Sequence, residues 1–284
     1  MKSILSLLIS LFLVQVLTGQ NDIITAAEFA KLQKTDKNIR IIDADKASNY
    51  KKTHLKNAIN IPHTTLYRED NEIEGIIKSP AALANIFGSK GISETNTIIV
   101  YDGGSQKYST RLYWILKYLG AQNVKVLHKD LNEWKKARLL LTQTVPGFKK
   151  TVFNVNLNKS IYSDLNNVVD AVTDNNAIIV DARTPAEYNG TSTDKPSEGH
   201  IPGAVNLPYT ELLTSTNAFK TKAEIEKIVS AKGITPDKTV YLYCRTSVRA
   251  GVIFLALKNI LGYNKIKVYD GAYAEWSYNY ELEK

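Results

Sequence analysis

The chain carries a second version of itself. His54-Leu55-Lys56-Asn57-Ala58-Ile59-Asn60-Ile61-Pro62 is matched by His200-Ile201-Pro202-Gly203-Ala204-Val205-Asn206-Leu207-Pro208, with His, Ala, Asn and Pro at the same positions. Ile41-Ile42-Asp43-Ala44 matches Ile178-Ile179-Val180-Asp181-Ala182, Ile98 to Asp102 matches Val240 to Cys244, and Glu133-Trp134 matches Glu275-Trp276. Gly120 with Val126 likewise matches Gly262 with Val268. A period of about 140 residues is too long for a solenoid unit and suits a duplicated domain. Each copy alternates apolar β-branched runs with segments of helical period, which predicts an α/β fold: a mostly parallel sheet with helices on both faces. Helices are expected from Thr25, with Glu28 closing a capping box, from Ser79-Pro80 to about Phe87, and over Arg111–Leu119. The second copy should hold a strand over 240–243 and a helix over 250–257. The aperiodic stretch around Pro146-Gly147 separates the copies, giving units at 21–145 and 160–284 joined by a linker at 146–159.

The copies differ where chemistry is expected. The second holds Cys244-Arg245-Thr246-Ser247-Val248-Arg249, with the only cysteine in 284 residues, between a strand and a helix. The first has Asp102-Gly103-Gly104-Ser105-Gln106-Lys107 there. A loop turning sharply into a helix aims backbone N–H groups and partial positive charge at one point, which favours thiolate. Arg245 and Arg249 add full charges suited to an anionic substrate. The plainer alternative for Cys244 is a buried apolar core thiol; the functional reading needs it exposed and charged. Asp102 cannot do thiolate chemistry and would repel an anion, so the first copy is expected to be inert, structural, or one wall of a cleft between the copies. Ligands in such sheets bind at the carboxyl ends of the strands, where Cys244 stands.

Composition sets the remaining bounds. A net charge of +8 without a dense Lys/Arg run argues against nucleic acid, and Lys135-Lys136 and Lys149-Lys150 read as solvated faces. Residues 1–20 follow a secretory layout: Lys2, an apolar run from Ile4 to Leu17, then Thr18-Gly19. The expectation is an exported protein, periplasmic or extracellular, with no stable membrane insertion after cleavage; an uncleaved anchor or a buried helix is the alternative. A single cysteine cannot close an intramolecular disulfide, so an exported chain that keeps one is expected to use it.

Asp181-Ala182-Arg183, Gly199-His200-Ile201-Pro202-Gly203-Ala204-Val205-Asn206, the Cys244–Arg249 loop, and Asp270-Gly271 followed by Glu275-Trp276 resemble the rhodanese family in its tandem two-domain sulfurtransferase form. That resemblance implies that Cys244 accepts sulfur as a persulfide, with Arg183, Arg245, Arg249 and Ser247 as substrate-binding residues. It implies thiosulfate as donor and cyanide or a thiol as acceptor, with a protein sulfur acceptor or thiol reductant as a further partner. No metal and no cofactor is called for. The loop is not the Cys-Gly-Ser-Gly-Val of the mercaptopyruvate branch, and Asn189 stands where that branch carries a second arginine. 3-Mercaptopyruvate transfer, or a persulfide carrier with little small-molecule turnover, are the alternatives.

Other readings weigh less. Cysteine phosphatases place five residues between Cys and Arg, whereas four lie between Cys244 and Arg249. His54 and His200 recur in both copies, which favours a turn-stabilising role over metal ligation, and His63 and His128 have no partner at ligand spacing. Asp43 and Asp181 recur likewise and are expected to bond nearby backbone, with Asp181 also able to orient Arg183. Ser247 either donates to the persulfide or shapes the loop. The first copy departs from the family at His128-Lys129-Asp130.

Overall fold

A computed structural model describes residues 22–69, 72–128, 131–193 and 197–284. The expected leader at 1–20, and Lys129 and Asp130 of the divergent tripeptide, lie outside the described residues. The duplication appears as two five-stranded parallel sheets of one topology. In the first the order is Ala58–Asn60, Ile39–Asp43, Thr97–Tyr101, Asn123–Leu127 and Ile23–Ile24. In the second it is Val205–Asn206, Ala177–Asp181, Thr239–Tyr243, Ile266–Tyr269 and Tyr162–Ser163. The registers coincide as well: Asp43 pairs with Tyr101 and Asn60, Asp181 with Tyr243 and Asn206. Ile98, Ile99 and Val100 are fully buried, as a central parallel strand covered on both faces requires.

The repeated motif works as a turn device. In each copy the histidine ring stacks on a tyrosine, His54 on Tyr50 at 3.7 Å and His200 on Tyr188 at 3.6 Å between centroids. Its Nδ1 meets that tyrosine's carbonyl oxygen, and the tyrosine hydroxyl donates to the carbonyl of Ala58 or Ala204. The Asn60 amide donates to the carbonyls of Asp43 and Asp45, and Asn206 does the same for Asp181 and Arg183. These side chains satisfy backbone groups at the strand ends, which is why they recur in a copy without the cysteine.

Helix starts follow the sequence at two points. Thr25 and Glu28 form the capping box of helix Ala26–Thr35, and Ser79 caps Pro80–Ser89. The helix expected from Arg111 begins four residues sooner, as Lys107–Tyr118, because the Asp102 carboxylate accepts the Tyr108 and Ser109 N–H groups and starts it. Helix Ala250–Leu255 widens into a π turn over Ala256–Ile260. An additional short pair, Leu141–Thr142 with His54–Leu55, runs antiparallel.

The two units share one core, in which helices Lys107–Tyr118 and Ala250–Leu255 cross near their first turns. A Cβ on Gly251 would lie 2.9 Å from the Arg111 nitrogen and from the Thr110 carbonyl carbon, so only glycine permits this approach. Beside the crossing, Arg111 Nη2 donates to Asp270 Oδ1 at 2.6 Å, with both side chains buried. Arg111 also donates to the Gly75 carbonyl, and Asp270 accepts the Ile77 N–H. The irregular 143–158 stretch packs along the first unit, Phe153 against Phe87 and the Asn156 N–H on the Leu119 carbonyl.

Arg111→Met should lower unfolding free energy by about 3–5 kcal/mol, since it leaves the Asp270 carboxylate buried without its cation. A urea titration checks this, and a loss below 1 kcal/mol would mean that the pair contributes little. Asp43 gives a pH-dependent counterpart. Burial first, with the Asp45 and Asp102 charges adding, raises its pKa to about 6. The folded chain therefore holds this proton between about pH 4 and 6 where the unfolded chain has released it, and stability falls as pH rises through that window. Asp43→Asn should be more stable than the parent near pH 7.5 by up to ~3 kcal/mol and equal to it near pH 4. The same midpoint difference at both pH values would assign the effect elsewhere.

Candidate active site

Equal registers bring Asp102 and Cys244 out of their sheets at equivalent points, each one residue beyond a buried tyrosine. The first loop shows what this backbone does. The Asp102 carboxylate accepts N–H groups from Gly104, Gln106, Tyr108 and Ser109 at 2.8–3.1 Å, and the hydroxyls of Ser105 and Ser109. Gly104, at φ +102, and Gln106, at φ +62, make the curl. This is an anion nest filled by the loop's own side chain.

In the second loop Ser247 makes the left-handed step, at φ +55. The Ser247 hydroxyl, buried, donates to the Tyr269 carbonyl and ties the loop to the neighbouring strand. That bond is the one the loop-shaping role of Ser247 calls for. From outside, the Tyr273 and Ala274 N–H groups hold the Cys244 and Arg245 carbonyls at 2.9 and 3.1 Å. A trans peptide then turns the following N–H groups inward.

Cys244 is 1% exposed and joins the apolar core, so the exposed thiol expected from sequence is corrected. One side of it is open. It borders a cavity of about 320 Å³, lined by His63, Glu74, Lys107 and Tyr108 of the first unit and by Arg245, Thr246, Val248 and Arg249 of the second. The first copy is thus a wall of the cleft. Gly75 presses so closely on the loop that a Cβ there would come 2.5 Å from the Thr246 Cβ.

The arginines take different places. Arg249 grips Glu187 through two bonds, 2.6 and 2.8 Å. Burial works to raise the Glu187 pKa, but the Arg249 hydrogen bond and charge, with the Thr184 amide and hydroxyl, hold it at about 2. Burial likewise opposes the Arg249 charge; Glu187 and the Cys244 sulfur outweigh it and raise its pKa. Arg245 reaches the cavity mouth and meets Glu74 at 2.6 Å, both half-exposed. Arg183, expected among the substrate-binding residues, does not line the cavity. Its guanidinium is buried on Asp181 at 2.6–3.0 Å, donates to Ser197 Oγ and the Gly199 carbonyl, and lies 4.1 Å over the Tyr273 ring. Every edge of its planar fork is engaged within the fold.

The first unit supplies the residues that sequence reasoning missed. His63 follows the repeated motif's final proline, at the position that Tyr209 holds in the second copy. Its Nδ1 meets the Tyr67 hydroxyl at 2.8 Å and its ring stacks on Tyr108 at 4.1 Å. Burial, then the Arg111 and Lys107 charges, lowers its pKa to about 4, so the imidazole is neutral at pH 7. A signal for Lys107 and Tyr108 existed: Lys107 closes the loop aligned with Cys244–Arg249, and Tyr108 follows it. A thiol reached through a small cavity rich in guanidinium and ammonium groups suits nucleophilic attack on a compact, anionic, polarisable electrophile.

A rhodanese-like domain model matches the chain twice, over residues 25–137 and 164–279. A putative thiosulfate sulfurtransferase of Synechococcus elongatus is 31% identical over 264 residues, 89% of this chain and 82% of its own length. The 3-mercaptopyruvate sulfurtransferase of Escherichia coli is 31% identical over 261 residues, covering 87% of this chain and 92% of that one. The solved rhodanese-fold structure of the 3-mercaptopyruvate enzyme SseA from Escherichia coli superposes with a TM-score of 0.80 at 30% identity, covering 88% of this chain and 98% of that one.

The place of Arg183 predicts how it fails. Arg183→Gln should lower stability by about 3–5 kcal/mol, because Asp181 is left buried without its cation. The KM for a sulfur donor in the folded fraction should stay unchanged. A raised KM with an unaltered melting temperature would return Arg183 to the substrate.

Proposed function

The chain belongs to the rhodanese family of sulfurtransferases, in its tandem two-domain form, and we propose that it moves a sulfane sulfur through a persulfide on Cys244, with thiosulfate as donor. The observation that carries this reading is the sulfur of Cys244 at a cavity whose wall includes Arg245, Arg249 and Lys107. In the first step the Cys244 thiolate attacks the outer sulfur of thiosulfate. The new S–S bond forms as the old one breaks, and sulfite departs with the bonding pair. The enzyme retains one sulfur as Cys–S–S⁻. In the second step cyanide or a thiolate attacks that outer sulfur, Cys244 leaves as thiolate, and thiocyanate or a persulfide is released. Inward-turned loop amides suit the outer sulfur's negative charge, as the first loop suits the Asp102 carboxylate. Arg245 and Arg249 line the cavity as hydrogen-bond donors for the anion and for the leaving sulfite.

A second donor reading rests on the equal identity to a 3-mercaptopyruvate sulfurtransferase. That donor would give its thiol sulfur to Cys244 and leave as the enolate of pyruvate. On the strength of the apolar leader, we place the reaction outside the cytoplasm.

Cys244→Ser should fold normally and abolish thiocyanate formation from thiosulfate and cyanide. Wild-type protein incubated with thiosulfate alone should gain the mass of one sulfur atom, reversed by cyanide. Retained transfer by the serine variant would remove the mechanism. A higher kcat/KM for 3-mercaptopyruvate than for thiosulfate would give the site to the second donor.

A further inference from the structure

The charges around Cys244 largely cancel in pairs. Arg249 is held by both oxygens of Glu187, and Arg245 by Glu74, so each guanidinium faces the cavity already partnered by a carboxylate. Lys107 is different. It lines the same cavity from the opposite unit, and among the described residues no carboxylate lies within ion-pair distance of its ammonium. What stands beneath it is an aromatic support: Nζ lies 4.9 Å from the centre of the Tyr108 ring, whose other contacts include the stacked His63 imidazole. His63 is in turn fixed by the Tyr67 hydroxyl. A ring face attracts a cation without neutralising it, so the support holds the charge in place and leaves it available to an anion.

The duplication explains how a residue of the inert copy reaches the reacting centre. The two helices that follow the equivalent loops cross at their first turns, Gly251 against Thr110 and Arg111. The crossing sets the start of one helix, at Lys107, across the cavity from the start of the other, at Arg249–Ala250.

We propose that Lys107, a residue of the copy without the cysteine, is a specificity-determining residue that binds the anionic end of the sulfur donor, the sulfonate of thiosulfate or the carboxylate of mercaptopyruvate. The proposal rests on the sulfurtransferase reading and extends it to the donor's charge. With both arginines tied to carboxylates, Lys107 gives the cavity its net positive charge, and a donor's preference for the site scales with the donor's negative charge. His63 and Tyr108 are positioning residues for the ammonium. The neutral state of His63 agrees, since burial and the neighbouring cations lower its pKa to about 4.

The test compares donors of different charge on the full chain: thiosulfate, 3-mercaptopyruvate and the uncharged dimethyl trisulfide. For thiosulfate and 3-mercaptopyruvate, Cys244 persulfide is read by mass and turnover by thiocyanate release. For the trisulfide, Cys244 attacks the central sulfur, methanethiolate departs, and the concentration dependence of the methyl trisulfide adduct on Cys244 is read by mass. Lys107→Met should raise KM for thiosulfate about tenfold, the loss of one charge-assisted hydrogen bond, with kcat held within about twofold. The factor should shrink for mercaptopyruvate and vanish for the trisulfide. Lys107→Arg should restore the thiosulfate KM to within about threefold, and melting temperatures of all variants should match the parent. An equal change for all three donors, or none for thiosulfate, would overturn the role of Lys107 while leaving the persulfide reading in place. A wild-type chain that gains no sulfur from any donor would bring down that reading and this inference together.

Discussion

The site depends on one buried ion pair that spans the two halves. Arg111 comes from the helix behind the Asp102 loop and Asp270 from the turn beside the cysteine loop. Each also holds backbone of the segment between them, Gly75 through its carbonyl and Ile77 through its N–H. Neither charge tolerates that depth alone. Their pairing fixes the distance at which Gly251 slides under Thr110 and at which Gly75 meets Thr246. The cavity over Cys244 is the space left once these contacts close.

Much of the fold was legible because duplication prints one register twice. Residues such as Asn60 and Asn206, or His54 and His200, bond backbone in their own copy, so their recurrence in sequence is a recurrence in space. The helix starting at Lys107 was harder to see. Its first turn is polar in sequence although half-buried, and a carboxylate five residues upstream starts it, not an apolar period.

The site was only half legible. Cys244, Arg245 and Arg249 lie within six consecutive residues and announce themselves. His63, Glu74, Lys107 and Tyr108 meet them only because two separately folded sheets dock, and no spacing within one copy encodes that meeting. Arg183 was expected at the substrate because the family resemblance puts an arginine beside the loop, and Ser247 because its hydroxyl could reach the persulfide as well as shape the loop. The groups they bond include the Gly199 and Tyr269 carbonyls, and a backbone oxygen leaves no mark in sequence. The depth of Cys244 was hidden for the same reason as the wall above it.

The Asp102 loop has a bearing on time as well as structure. A carboxylate seated among four amide hydrogens needs no visitor, so that half of the molecule stays in a single condition throughout turnover. In the persulfide cycle proposed above, its partner loop passes between an occupied and a vacant state. Such a chain pairs a fixed frame with a cycling one, and the unchanging half gives the other a stationary reference against which sulfur arrives and departs.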